Sequence, residues 1–283
     1  MIYVFLSICC SVAVSILLKL FKRYEVKSLQ AIFWNYIAAI VCSGLFLSIK
    51  PLTSINELPL VDFAALGFLL PFIFIFISVS VRTSGIVRTA VAQRLSLVIP
   101  VLAAFLLFGE TITILKSVGL LLGFIAISCS IPWNKQTEEQ KGNWWYPFIV
   151  FAGTGVIDIY FARIAQFKGL PFTSTLYYIF ILAAAISLVF AVVGSIRSKT
   201  SISLKSFLFG MLLGILNFGS IVFYLKGLHL EADRPSVIFS ALDIGVIAGG
   251  AIAGLWLFRE KLSRLNLLAV LIAAVAIVIL TFA

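Results

Sequence analysis

Ten apolar runs, each close to twenty residues long, constrain this chain more than anything else in it. They cover roughly 2–21, 29–49, 60–81, 86–108, 113–131, 145–164, 172–194, 205–226, 235–257 and 263–282. At 1.5 Å per residue each is long enough, or nearly so, to cross a hydrocarbon core about 30 Å thick. Composition agrees: 62% of the residues are hydrophobic and only 11% charged, against about 25% charged in a soluble domain. The expected class is an all-α integral membrane protein with ten transmembrane helices. Met1–Leu20 is apolar from its second residue and has no basic leader segment, so it reads as a retained first span.

The run Pro235–Glu260 carries a carboxylate in its interior. Asp243 lies eight residues after Pro235, roughly 12 Å down the helix axis. An ionisable group at that depth costs about 2.5–3.5 kcal/mol on insertion scales, so it faces a cavity or a partner. The same region has an echo earlier in the chain. GETITILKSVGLLLGFIAI at 109–127 resembles REKLSRLNLLAVLIAAVAI at 259–277, an offset of 150 set by Glu110 and Glu260 (260 − 110). That offset places Gln93 on Asp243 and Pro100 on Gly250, and points to an internal duplication.

The longest polar stretch divides the chain into a first five-helix repeat at 1–131, a linker at 132–144 and a second five-helix repeat at 145–283. Five is odd, so two copies of one unit must cross the membrane with opposite orientation. Inverted repeats of this kind are a common plan of secondary transporters, with the substrate site near the midplane between the halves.

The ten-span duplicated plan resembles the EamA type of the drug/metabolite transporter superfamily, as do the Gly109–Glu110 turn after the fourth span and the Arg259–Glu260 turn after the ninth. The resemblance covers nearly the whole chain. Arg259 stands where the family usually has glycine. The resemblance implies a small-molecule carrier, often an exporter, whose cargo ranges across the family from amino acids and sugars to drugs.

Polar groups within the spans are the informative residues, because helical backbone is already satisfied in lipid. Arg94 is a fixed cation suited to a carboxylate or phosphate on a solute, or to an ion pair with Asp243. Gln93 and Asn217 are hydrogen-bonding candidates, Asn217 equally as an interhelical bond. Trp34, Asn35 and Tyr160 are candidates for the wall of a pocket. Asp158 is the candidate for proton coupling, or else a helix-packing acid. Arg163, five residues and about 140° further round the helix, reads as reaching for the interface. The spacings Gly210–x3–Gly214 and Gly250–x3–Gly254 predict close helix contacts. Pro71 and Pro100 predict kinks.

Other classes fit poorly. Cys9, Cys10, Cys42 and Cys129 lie in apolar runs without paired spacing, and His229 is a lone histidine, so neither a metal site nor a cofactor is expected. The chain lacks a nucleophile–histidine–acid set and a phosphate-cradling glycine loop, which argues against an enzyme. The +10 net charge is scattered singly through short loops rather than clustered with aromatics, so no nucleic-acid partner is expected. The expected partners are a small-molecule solute and the lipid bilayer, with the chain acting as a monomer or homodimer. The competing class is a non-transport membrane subunit or scaffold whose buried charges are structural.

Loop charges address orientation. Loops after odd-numbered spans hold thirteen Lys and Arg (22, 23, 27, 82, 88, 135, 141, 197, 199, 205, 259, 261, 264) and those after even-numbered spans hold five (50, 116, 168, 226, 234). Basic loops favour the cytoplasm, which puts both termini outside. The family resemblance implies both termini inside. The expected location is the inner (plasma) membrane of a prokaryote.

Overall fold

The computed structural model describes residues 1–51, 59–83, 86–130, 145–167, 169–198, 201, 203–258 and 264–282. The expected linker 132–144 and the Arg259–Glu260 turn lie outside them. The helices are α1 (Ile2–Arg23), α2 (Ser28–Phe46), α3 (Leu60–Thr83), α4 (Ile86–Leu95), α5 (Val98–Leu106), α6 (Ile114–Ser130), α7 (Trp145–Gln166), α8 (Phe172–Ser198), α9 (Leu204–Leu230), α10 (Pro235–Phe258) and α11 (Arg264–Thr281). No strand occurs among the described residues.

Apart from α4, which carries Arg88, Gln93 and Arg94, these helices are predominantly apolar, as a lipid-facing bundle requires. Tyr36, Phe180, Phe239, Leu66 and Leu97 fill the interior, while Phe5, Leu45, Phe46, Leu106 and Trp256 are exposed. Five helices are long and apolar enough to cross a membrane: Ser28–Phe46, Leu60–Ser80, Trp145–Gln166, Phe172–Arg197 and Leu204–Leu230. Shorter apolar helices accompany them at Ile2–Leu18, Ala92–Leu106, Ile114–Ala126, Pro235–Gly250 and Leu271–Leu280. This is a membrane-type helical protein.

The fourth run, expected as one span at 86–108, is two helices. The break falls at Ser96–Leu97, one turn before Pro100. Pro100 has no N–H to give to the Ser96 carbonyl, and its ring crowds that oxygen. Ile99 N–H takes the acceptor instead at 2.9 Å, in a tighter turn. The Ser96 hydroxyl caps the Gln93 carbonyl at 2.6 Å. Pro100 therefore ends up in the first turn of α5, where proline is tolerated. Pro71, by contrast, leaves α3 continuous from Leu60 to Thr83.

Helix α2 packs between α8 and α9, α3 between α7 and α8, and α1 between α9 and α10. Helix α7 also meets α4 and α5, α6 pairs with α11, and α10 crosses α5, α6 and α11. The small residues of α9 set one of these contacts. A methyl on Gly210 would meet the Ala31 backbone and Trp34 Cβ, and one on Gly214 would meet the Asn35 carbonyl and Ala38. The expected pairing of Gly250 with Gly254 fails at its first member, since Gly250 has nothing within 4 Å of an added Cβ. The close contacts of α10 come one register earlier, at Gly245 against Ile8 and Gly249 against Val12 of α1. Of the cysteines, Cys42 is buried as expected but Cys9 is exposed.

Because the atoms facing Gly214 are largely rigid backbone, Gly214→Val is expected to cost about 1–3 kcal/mol through overpacking. Gly250→Ala is expected to change stability by no more than about 1 kcal/mol. Thermal unfolding of both variants in detergent checks the contrast.

Candidate functional site

Two charged residues from opposite ends of the sequence meet inside the bundle. Arg94 lies in the last turn of α4, just before the Ser96–Leu97 break, and Asp243 lies inside α10. Their side chains form an ion pair, Nη1 to Oδ1, at 3.4 Å. The side chains retain 28% and 19% exposure respectively. Surface of that kind, two helical turns inside a span, is far too costly to present to lipid tails. The pair is therefore neither sealed in the core nor turned to the lipid. The contact uses one nitrogen of the guanidinium and one carboxylate oxygen, so Arg94 keeps most of its donors for another acceptor.

A second carboxylate stands close by. Tyr224 of α9 donates its hydroxyl proton to Asp158 Oδ1 at 3.1 Å. Asp158 of α7 and Tyr224 both lie within electrostatic reach of Asp243. The Arg94–Asp243 pair thus links α4 to α10, and the Tyr224–Asp158 bond links α9 to α7. Tyr224 was not singled out in the sequence. The available signal was its position seven residues after Asn217, two helical turns along the same face. Phe161 packs edge-on to its ring at 6.0 Å.

Asn217 Nδ2 donates to Asn35 Oδ1 at 3.2 Å, joining α9 to α2 by the interhelical bond that rivalled a cavity role. Asn35 is fully buried, and its own Nδ2 has no partner. The Gln93 side chain makes no hydrogen bond among the described residues; only its carbonyl is used. Trp34 and Tyr160 are not drawn into the charged cluster. Trp34 packs edge-on to Phe207, with ring centroids 4.8 Å apart, beside Gly210. Tyr160 lies two residues from Asp158, about 200° around the helix, and its ring faces the Arg163 guanidinium at 5.7 Å. Arg163 does not simply reach for the interface, because its Nε pairs with Asp62 at 3.1 Å. His229 Nδ1 contacts the Ala165 carbonyl at 2.7 Å. No group of side chains suited to a metal occurs among the described residues.

The glycine–glutamate turn has a physical role that spacing alone did not show. Gly109 adopts φ 67°, a left-handed conformation that side chains resist. The turn carries Glu110 into the bundle, where it reaches the start of α10. Glu110 Oε2 accepts the Ser236 N–H at 2.9 Å and Oε1 accepts the Ser236 hydroxyl at 2.5 Å. It therefore caps a helix from a distant part of the chain, where a negative charge also suits the helix dipole. Lys116 Nζ balances it at 3.0 Å and donates to the Thr111 carbonyl at 3.1 Å.

Comparison with known proteins places the chain. No protein-family profile matches it. A protein of Haemophilus influenzae described as uncharacterized is 38% identical over 285 residues, covering 96% of this chain and 94% of its own. The chain belongs to the family of that protein. A protein of known crystal structure shares the fold, with a TM-score of 0.75 at 14% identity, over 99% of this chain and 96% of its own.

The Glu110–Lys116 pair is almost wholly enclosed. Glu110→Ala is expected to cost about 3–5 kcal/mol, because it strands a buried ammonium and uncaps α10. Lys116→Met combined with Glu110→Gln is expected to recover much of that loss, since it removes both charges and keeps the amide oxygen as a cap. Unfolding midpoints of the single and double variants measure the difference.

Proposed function

We propose that the protein is a secondary transporter of a small organic metabolite, amino acid-like or otherwise polar or amphipathic. On this reading it works as an exporter or exchanger by alternating access, with one central site between two inverted five-helix repeats and ten membrane crossings. The observation that carries the reading is the Arg94–Asp243 pair, which joins the two halves deep in the bundle while retaining open surface. A static lock has no use for that exposure. A binding site needs it.

The helix pairings support the repeat. Exchanging α1, α2, α3, α4/α5 and α6 for α7, α8, α9, α10 and α11 turns the α2–α9 contact into α8–α3, and α1–α9 into α7–α3. It turns α1–α10 into α7 against α4 and α5, and returns α2–α8, α6–α11 and α5–α10 to themselves. In the proposed cycle a carboxylate or phosphate on the solute competes with Asp243 for the Arg94 fork, and a solute cation competes with Arg94 for Asp243. Asp158, held by Tyr224 and sensing Asp243, is the carrier of a coupling proton. Asn217, on the face of α9 that carries Tyr224, and Asn35 of α2 supply neutral hydrogen-bonding capacity. Gln93 offers an unused amide beside Arg94. Trp34 and Tyr160 lie outside this set.

The proposed location is the inner membrane of a prokaryote, in keeping with a bacterial relative. Loop charges orient both termini outward. A cysteine in place of Glu138 is then expected to resist an impermeant thiol reagent in intact cells; labelling would reverse the orientation.

Thermal unfolding against a metabolite library tests the function. A ligand at a hundred times its Kd is expected to stabilise the folded form by about 2.7 kcal/mol, with the effect lost in Asp243→Asn. The double variant Arg94→Gln with Asp243→Asn is expected to fold but to carry no flux of that ligand in proteoliposomes. Retained flux would leave a membrane subunit or scaffold with a structural ion pair as the better reading.

A further inference from the structure

A second polar site lies at one end of the bundle, away from the Arg94–Asp243 pair. A cavity of about 640 Å³, open to the surface, is lined by Pro59–Asp62 at the start of α3, by Phe108 after α5, and by Arg163, Gln166, Phe167 and Gly169 at the end of α7. That volume suits a small ligand or a lipid headgroup.

The chemistry of its wall is specific. Asp62 has only 8% of its side chain exposed, whereas Arg163 is half exposed. The ion pair uses Nε of Arg163, at 3.1 Å. The Tyr160 ring faces the same guanidinium at 5.7 Å. Asp62 and Tyr160 thus flank the guanidinium. Asp62 does so by charge rather than by a hydrogen bond, since its Oδ1 has no hydrogen-bond partner among the described residues. Both Nη groups have no protein partner among them. A nearly buried carboxylate beside Nε holds the arginine at the cavity wall by charge and leaves its Nη donors for whatever occupies the cavity.

The start of α3 lies on the same wall. Phe63 N–H is satisfied by the Pro59 carbonyl at 2.8 Å, so the N–H groups of Leu60, Val61 and Asp62 precede the first intrahelical bond. Helix N–H groups and an open guanidinium fork are two independent donor sets that converge on an oxyanion. We propose that this pocket binds a phosphate-bearing ligand, its oxyanion held between the Arg163 fork and the first turn of α3.

A singly charged phosphodiester fits better than a dianion, because the Asp62 carboxylate lies behind the arginine and repels extra negative charge. Two sources supply that group: a phospholipid headgroup or a soluble phosphate ester. Exposed apolar residues border the cavity at Leu60 and Val61, and Leu106 and Leu107 lie exposed just before Phe108. These give acyl chains a surface to follow.

The test uses the full chain in nonionic detergent, titrated with phosphatidylglycerol, with diacylglycerol as a phosphate-free control, and with glycerophosphoglycerol, the singly charged soluble diester left when the acyl chains are removed, read by thermal stability and native mass spectrometry. Saturable binding of a phosphate-bearing probe is expected, with none of diacylglycerol. In Arg163→Gln, and in Arg163→Gln combined with Asp62→Asn, which leaves no orphaned charge, it is expected to weaken at least ~10-fold. Arg163→Lys, which keeps the charge but loses the fork, is expected to fall between. Phosphatidylglycerol binding without glycerophosphoglycerol binding assigns the site to lipid, and binding of both assigns it to soluble esters as well. In the unaltered chain, the bound probe is expected to protect Arg163 from phenylglyoxal. Absence of saturable binding, absence of protection, or undiminished binding by the folded double variant overturns the proposal.

Discussion

Charge inside this bundle has had to find company, because hydrocarbon offers none. Four ionic or hydrogen-bonded contacts hold it. Arg94 meets Asp243, Arg163 meets Asp62, Glu110 meets Lys116 and the start of α10, and Asp158 accepts from Tyr224. All but the Glu110–Lys116 pair itself join segments far apart in the sequence, and they fix the register in which the apolar helices can assemble. Apolar packing brings the helices together without specifying which face meets which. The polar pairs, with the Gly210 and Gly214 contacts, supply that choice.

Of the four, only one keeps a large part of both members accessible while lying deep in the bundle. The Glu110–Lys116 pair is closed off, as a structural contact should be, and Asp62 is buried behind an arginine that faces outward. Arg94 and Asp243 share their exposure almost evenly. That difference separates a sealed contact from one that retains accessible surface.

Helix positions were legible in the sequence to within a turn or so, because an apolar run of fixed length is a direct statement about the bilayer. The Arg94–Asp243 contact was legible as an alternative, since two opposite charges at matching depth have few other fates. The break at Ser96–Leu97 was only half legible. Pro100 announces a lost hydrogen bond, but the backbone yields one turn earlier, where the orphaned carbonyl is. Tyr224 was not legible, because tyrosines at span ends and span interiors look alike until a carboxylate is placed opposite one of them. The destination of Glu110 was hidden for a similar reason: a cap supplied from 126 residues away leaves no local signature. Trp34 and Tyr160 were selected for their chemical type, and packing assigned them to other contacts.

The break between α4 and α5 has a mechanical meaning. A continuous helix passes a tilt at one end to every residue along it, whereas a helix cut at Ser96–Leu97 does not. Asp243 rides on an unbroken 24-residue rod whose first turn is tied to Glu110. Arg94 rides on a ten-residue segment that ends just before that interruption. The two members of the central pair are therefore mounted on supports of unequal stiffness, one a lever and the other a joint.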